Sequence, residues 1–371
     1  MALSRILITV PSLSREFGGP IVKALGLAAA LRTIGHPVTV IGVGSAPGCQ
    51  GLPQLAQFHS TPVPARLNSL AKSVRAAEVI HILGLRDPVG TAGAWLARRA
   101  RVPYLIEPCG MHRRRLRSLG LKAVFDRLVA ARIVAGASLI VTTSKLEAAE
   151  LEEDGVRPER IRRRPNGIDA EGLLPLPPRG ALRRMLKFPP EAPIVLSLAR
   201  ITEGKGLIDF ARALARLSGI WGIVAGPDAG DGTLARLLAE RASLNLTERL
   251  AVLPDGLWGS DRAQAFADAD AFCLASATES FGNAALEAAA VGLPVVISEA
   301  YGAADWLEPK GTRVVPYGNV NLLAEAIRDV VESANVRQAS EAAAPRIRDA
   351  LSWNAVARRQ HEIYEELLAP R

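Results

Sequence analysis

Short apolar runs alternate with longer stretches of helical periodicity along almost the whole chain. Arg5–Val10 has the length and composition of a strand. The loop Pro11–Gly19 follows, and a helix opens at Pro20 and closes near Gly35. Pro at the start and Gly past the end suit the two termini of a helix. Val38–Val43, Val79–Leu83, Tyr104–Ile106 and Ser138–Thr142 read as further strands separated by helices. Ser144 and Glu147 form an S-x-x-E capping box for the next helix.

Between Asp169 and Pro193 the rhythm stops. Pro175, Pro177, Pro178, Pro189, Pro190 and Pro193 crowd this stretch, which leaves room for one short helix near Ala181–Leu186. The β-α alternation then restarts. Ile194–Leu198, Gly222–Ala225, Leu250–Leu253, Ala271–Leu274 and Val295–Ile297 are strands. Leu207–Leu217, Thr233–Ala242, Asp261–Ala267 and Asn283–Val291 are helices. Repeated β-α units imply parallel sheets covered on both faces. The expected organisation is two doubly wound α/β domains, residues 1–170 and 193–352, joined by a linker over 171–192. Residues 353–371 form a last helix, Trp353–Leu368, expected to cross back to the first domain. A ligand would bind between the domains, near the carboxyl ends of the strands.

Composition narrows the class. Of 371 residues, 49% are hydrophobic and 22% charged, enough to bury a core and too apolar for a disordered chain. Three scattered cysteines (Cys49, Cys109, Cys273) exclude a disulfide scaffold and a cysteine zinc site, and suit a reducing compartment. Ile6–Val10 is too short for the apolar region of a signal peptide, and no apolar window is long enough for a membrane span. The net charge of +8 is uneven. Residues 1–178 hold 24 Lys and Arg against 13 Asp and Glu, net +11, and the remainder is net −3. The first half therefore suits an anionic partner or surface, although Arg-rich usage alone would have the same effect.

Common phosphate loops are missing. Gly42–Gly48 lacks G-x-G-x-x-G spacing, and Gly204-Lys205-Gly206 lacks the flanking residues of a P-loop. Asp268 and Asp270 could hold a divalent ion, but they precede a strand, so a helix-to-strand turn is the better reading. The richest segment is Ala271–Ile297: strand, loop, helix, turn, strand. Its loop ends at Ser280-Phe281-Gly282 and its helix opens at Asn283, where unpaired N–H groups and the helix dipole favour phosphate. Glu279 before that helix and Glu287 within it would accept from sugar or ribose hydroxyls. In Ser197–Gly206, Arg200 and Lys205 sit on the turn after a strand and could neutralise a diphosphate. Phe17-Gly18-Gly19-Pro20, after the first strand, would let backbone approach a ligand, as would many ordinary turns.

Taken in order, these segments resemble family 4 of the retaining GT-B glycosyltransferases, the group 1 type. The resemblance rests on Gly18-Gly19-Pro20, Thr143-Ser144 with Glu147, Pro165-Asn166-Gly167-Ile168-Asp169, Arg200 with Lys205-Gly206, and Glu279-Ser280-Phe281-Gly282-Asn283 with Glu287. It implies a GT-B fold, two Rossmann-like domains facing across a cleft. A nucleotide-sugar donor would be held by the second domain and a glycan or lipid-linked acceptor mainly by the first. It also implies hexosyl transfer with retained configuration, as in surface polysaccharide synthesis, and no metal or other cofactor. Arg200 and Lys205 would bind the diphosphate, Glu279 the transferred sugar and Glu287 the ribose. Gly18, Gly19, Ser280, Phe281, Gly282 and Asn283 would line the donor. Many relatives carry His before Gly where this chain has Cys109-Gly110, with His112 shortly after. Arg113, Arg114, Arg115 and Arg117 follow, leading into Lys122, Arg127 and Arg132. They would either dock an acceptor or an anionic membrane surface, or form a solvated helix face. Arg160–Arg164 reads as a second basic run, an edge strand and turn near the cleft. The expected location is cytoplasmic, peripheral on the inner face of the membrane. The other readings are a nucleotide-sugar epimerase on a similar scaffold and a non-catalytic basic binder. Nucleic acid is disfavoured as a partner by the 5% aromatic content and the lack of a zinc-finger or RNA-binding motif.

Overall fold

The computed structural model describes residues 4–13, 19–43, 55–56, 63–110 and 129–369. They form two compact units, residues 1–167 with 353–371, and residues 168–352. The last helix, Trp353–Leu368, thus belongs to the first unit.

In the first unit, strands β1 (Ile6–Ser12), β2 (Val38–Val43), β3 (Leu55–Ala56), β4 (Val79–Leu83), β5 (Tyr104–Glu107), β6 (Leu139–Thr142) and β7 (Ile161–Arg163) make one parallel sheet. Its order is β3-β2-β1-β4-β5-β6-β7. Alternate side chains sort to opposite faces, as a strand requires. Ile6, Ile8 and Val10 pack under the helices Gly19–Thr33 and Trp353–Leu368. Leu7, Ile80 and Ile106 share the other face with residues of the helices Val63–Ala76 and Pro88–Ala100.

The last helix is fitted closely to its unit. A Cβ on Gly26 would come 2.2 Å from the Trp353 ring, and one on Gly167 would come 2.3 Å from it. Along the same helix, Nδ1 of buried His361 lies 3.0 Å from Nε2 of buried His36, and the Tyr364 hydroxyl lies 2.8 Å from Nδ1 of His81.

In the second unit, β8 (Ile194–Leu198), β9 (Trp221–Ala225), β10 (Leu250–Leu253), β11 (Ala271–Leu274), β12 (Val295–Ser298) and β13 (Thr312–Val315) are parallel in the order β10-β9-β8-β11-β12-β13. The order reverses direction between β8 and β11. The chain leaves these neighbouring strands toward helices on opposite faces, which opens a crevice at their carboxyl ends. The loops that leave them are those carrying Arg200 with Lys205 and Glu279 with Phe281.

The proline-rich stretch 171–192 is bound into the second unit. It ends the helix Ala170–Leu173 and contains the helix Ala181–Met185. The Asp268 carboxylate accepts from the N–H groups of Gly180, Leu182 (2.9 Å) and Arg183 (3.1 Å). Asp270 accepts from Arg183 (3.0 Å) and from Ile194 N (2.9 Å). The D-A-D pair therefore caps a helix and fastens the stretch to β8. Among the described residues no cluster of metal-ligating side chains occurs.

Two outcomes follow from this packing. Gly26→Ala should overpack the Trp353 contact and destabilise the first unit by about 1–3 kcal/mol, measured as a lower unfolding midpoint in denaturant. The second outcome concerns pH. Burial lowers the pKa of His36, which faces the Ser4 backbone, His361, Glu365 and Tyr364. Burial also lowers that of His81, which faces Glu107, Arg164, Lys23 and Tyr364. A histidine lowered in the folded state binds fewer protons folded than unfolded. The stability of the neutral form is full above the ordinary value of about 6.5 and declines as pH falls below it. The thermal midpoint should fall from pH 7 to pH 5, and His36→Gln should flatten part of that slope.

Candidate functional site

In the second unit the loop after β8 is pinned before it reaches Lys205. Ile201 N donates to Pro227 O (2.9 Å), and Ala229 N donates to Ile201 O (3.1 Å). The Asp231 carboxylate accepts from Thr202 Oγ1 (2.7 Å), Glu203 N (3.0 Å) and Thr233 N (3.0 Å). The Thr202 bond leads in holding this carboxyl well below the usual range. Gly206 then turns the chain at φ +69°, where a Cβ would meet Ala275 O at 2.1 Å. Only glycine fits so close an approach. Ala277 N donates to Gly204 O (2.7 Å), so the loops after β8 and β11 are interlocked.

The second loop is held from β12. Glu279 N donates to Ala300 O (2.8 Å), and Gly302 N donates to Glu279 O (2.8 Å). Gly282 opens the helix Asn283–Ala290 at φ +90°, against the Tyr301 ring, with no side-chain cap. The Tyr301 hydroxyl donates to Gly282 O (3.3 Å), and burial keeps it well above its ordinary pKa. Ser280 and Asn283 are half-buried and Phe281 is buried in the core.

Each of the two glutamates has a cation. Lys205 Nζ lies 2.5 Å from Glu279 Oε2, both groups half-buried. Arg262, on the helix Gly259–Asp268, ion-pairs Glu287 through Oε2. Burial raises the Glu287 carboxyl, and Arg262 opposes that rise. Arg200 is exposed on the same loop as Lys205 and makes no ion pair among the described residues. Arg200, Lys205, Glu279 and the start of the Asn283 helix thus lie on adjacent loops. The arrangement offers two cations and a helix N-terminus for an anion beside carboxylates for hydroxyls.

The first unit contributes an ionic cluster of its own. Gly19 opens the helix Gly19–Thr33, and one turn on, buried Lys23 pairs with Glu107 Oε1 at the carboxyl end of β5. Glu107 Oε2 accepts from Arg164 at 2.5 Å, with His81 Nε2 at 3.4 Å. Burial alone would raise the Glu107 carboxyl, but Arg164 and Lys23 outweigh it and hold the group well below the usual range. Cys109 follows at φ +54°, its thiol pushed up to about 12 by burial. It is therefore a neutral thiol at physiological pH, unsuited to nucleophilic attack. Glu147 accepts from Gly110 N (2.7 Å), Thr143 N (2.9 Å) and Thr143 Oγ1 (3.1 Å). Ser144 caps the helix Lys145–Glu153 by accepting from Glu147 N (3.1 Å). The box thus closes one residue early, at Thr143, and also ties down the Cys109-Gly110 turn.

Gly18, His112, Arg113, Arg114, Arg115, Arg117, Lys122 and Arg127 fall outside the described residues. The run Arg160–Arg164 is structural at three positions. Arg160 donates to Val134 O (2.7 Å), Arg162 donates to Glu366 (2.7 Å), and Arg164 is wholly buried. Sequence reasoning missed Lys23, Glu107, Asp231, Arg262 and Tyr301. Glu107 alone had a local signal, a carboxylate ending the apolar run Tyr104–Glu107.

Comparison with known proteins agrees with this layout. Residues 178–346 match the family model for glycosyl transferases group 1, and residues 18–167 match that for a glycosyl transferase 4-like domain. A D-inositol 3-phosphate glycosyltransferase of Mycobacterium sp. (strain KMS) is 30% identical over 253 residues, covering 63% of this chain and 56% of the relative. That of Kineococcus radiotolerans is 28% identical over 263 residues, covering 65% and 60%. The chain thus spans a little over half the length of these curated relatives. Among solved structures, Anabaena HepE in complex with UDP and glucose has a TM-score of 0.81 at 19% identity, covering 98% of this chain and 100% of that one. A glycosyltransferase from Rickettsia africae has a TM-score of 0.80 at 19% identity, with both chains covered completely. The two parallel α/β units are those of the GT-B fold. With one family model on each unit, the chain belongs to the group 1 glycosyltransferases.

Proposed function

We propose that the protein is a retaining hexosyltransferase. It moves a sugar from a nucleotide-sugar donor to a glycan or lipid-linked acceptor in surface polysaccharide synthesis. The observation that carries the reading is the meeting of Lys205 and Glu279 at 2.5 Å where the strand order of the second unit reverses. A diphosphate entering there exchanges its oxygens for Glu279 as the partner of Lys205. Glu279 is then released toward the sugar, while Arg200 and the start of the Asn283 helix meet the same phosphates. Glu287 receives the ribose hydroxyls, and Gly18 and Gly19 are assigned to the donor in the same reading. The acceptor oxygen bonds to the anomeric carbon on the face from which the diphosphate departs. Its proton passes to the departing phosphate oxygen. Positive charge for the leaving group comes from Arg200, Lys205 and backbone N–H groups, so the reading calls for no metal. Support comes from the UDP-glucose complex of HepE and from the lipopolysaccharide role named for the structural neighbour WaaG, which has a TM-score of 0.68 at 17% identity.

A peripheral position on the inner face of the membrane completes the reading, with the first unit against anionic lipid. No helix among the described residues is long and apolar enough to cross a membrane. The first half is net +11, and Trp95 is 59% exposed with the Arg99 guanidinium 5.2 Å from its ring centroid. An exposed Trp beside Arg suits a lipid headgroup region.

Lys205→Ala should lower kcat more than about tenfold, since one charge-assisted contact contributes ~1.5–3 kcal/mol. Glu279→Ala should mainly impair transfer, and Glu287→Ala should mainly weaken nucleotide binding. Turnover and nucleoside diphosphate titration read these effects, and unchanged turnover in Lys205→Ala removes the diphosphate assignment. A separate measurement is liposome sedimentation. Neutral replacement of Arg113, Arg114, Arg115 and Arg117 should weaken binding to anionic vesicles by roughly 1 kcal/mol per charge, with neutral vesicles unbound throughout. Equal binding to both vesicle types leaves those arginines as a solvated face.

A further inference from the structure

Glu287 sits on the helix Asn283–Ala290 with its side chain 14% exposed, and Arg262 reaches it from the neighbouring helix Gly259–Asp268. The Arg262 side chain is 25% exposed and passes over the Phe266 ring, 5.8 Å from its centroid, which limits where the guanidinium can go. Its bond is to Oε2 of Glu287, and no protein group among the described residues hydrogen-bonds Oε1.

We infer that Arg262 is a positioning residue for the donor nucleotide. It fixes Oε2 of Glu287 and thereby presents Oε1, as a charged acceptor, to the hydroxyls of a ribose. The inference rests on the proposed role of Glu287 and adds a residue to it. Three groups face this carboxylate from the elements packed around it. Arg262 comes from one helix, Asp169 from the turn before Ala170–Leu173, and Tyr301 from the segment after β12. Of these only Arg262 is cationic, while burial and Asp169 both disfavour the charge. Arg262 therefore has two effects that a mere packing contact would not have. It keeps the acceptor ionised as pH falls, and it aims that acceptor at the ribose.

The test uses the whole chain and begins by titrating UDP, GDP and ADP. The tightest of the three, with its 2′-deoxy counterpart, becomes the probe pair. Wild type should prefer the ribonucleotide. Arg262→Met should weaken it roughly tenfold at pH 8, the size of one charge-assisted bond. The loss should deepen toward pH 6, because the unopposed carboxyl takes up a proton at higher pH than in wild type. The preference for ribose over 2′-deoxyribose should shrink with it. Arg262→Lys should restore the shallower pH profile, and Glu287→Gln should remove both the ribose preference and its pH dependence. If Glu287→Gln loses the preference while Arg262→Met keeps it with the wild-type profile, the inference is overturned and the role of Glu287 stands. If Glu287→Gln keeps the preference, or none of the three nucleotides binds, the reading of the site itself falls and the inference with it.

Discussion

Parallel pairing of β8 with β11 is the constraint on which the second unit depends. Every parallel strand must return over the sheet through a helix, so every loop that leaves a strand at its carboxyl end emerges at one edge. Where the strand order reverses, two such loops become neighbours although about seventy residues of sequence separate them. The backbone contact at Gly206 and Ala275 shows how tightly that meeting is made. Lys205 from one loop and Glu279 from the other then face each other with no need for proximity in sequence.

Charge in the first unit obeys a different balance. Lys23, Arg164 and Glu107 are all removed from water, and none would be tolerable there alone. Their mutual pairing offsets the cost of burial and fixes the end of β5. That strand end leads into Cys109 and Gly110, the turn that stands where many relatives carry a histidine. The first unit thus invests these ionic groups in holding a turn, whereas in the second Lys205 on its loop and Arg262 on its helix stay partly open to solvent.

The strands that alternate with long helices were legible, because continuous buried runs such as Ile194–Leu198 have no other good solution than a covered parallel sheet. Of the edge strands, Leu250–Leu253 and the Arg160–Arg164 run were legible, but Leu55–Ala56 is only two residues long and Thr312–Val315 opens on two polar residues with little burial, so neither carries a clear apolar run. Prolines at 175–190 suggested a free linker, yet Asp268 and Asp270 bind that stretch into a unit through contacts nearly ninety residues away in sequence. Lys205 and Glu279 could be picked out because they lie near glycines on loops that leave strands, Arg200 because it shares the first of those loops, and Glu287 by its spacing from Glu279 across a helix start. Arg262 and Asp231 could not. Their importance lies in which loop or helix they touch, and an arginine in an ordinary amphipathic helix carries no local mark of such a partner.

The two described cysteines, Cys109 in the first unit and Cys273 in β11, share a property with a practical use. Burial pushes both thiols up to about 12. Alkylation by a thiol reagent requires thiolate and access; the native state supplies little of either at buried Cys273, whereas half-buried Cys109 lacks chiefly the thiolate. Modification of Cys273 must wait for the surrounding structure to open, at a rate set by the population of the open form when reclosing is fast. Because Cys273 sits inside β11, its labelling rate acts as a clock. It times the local opening of the second unit, without any engineered probe.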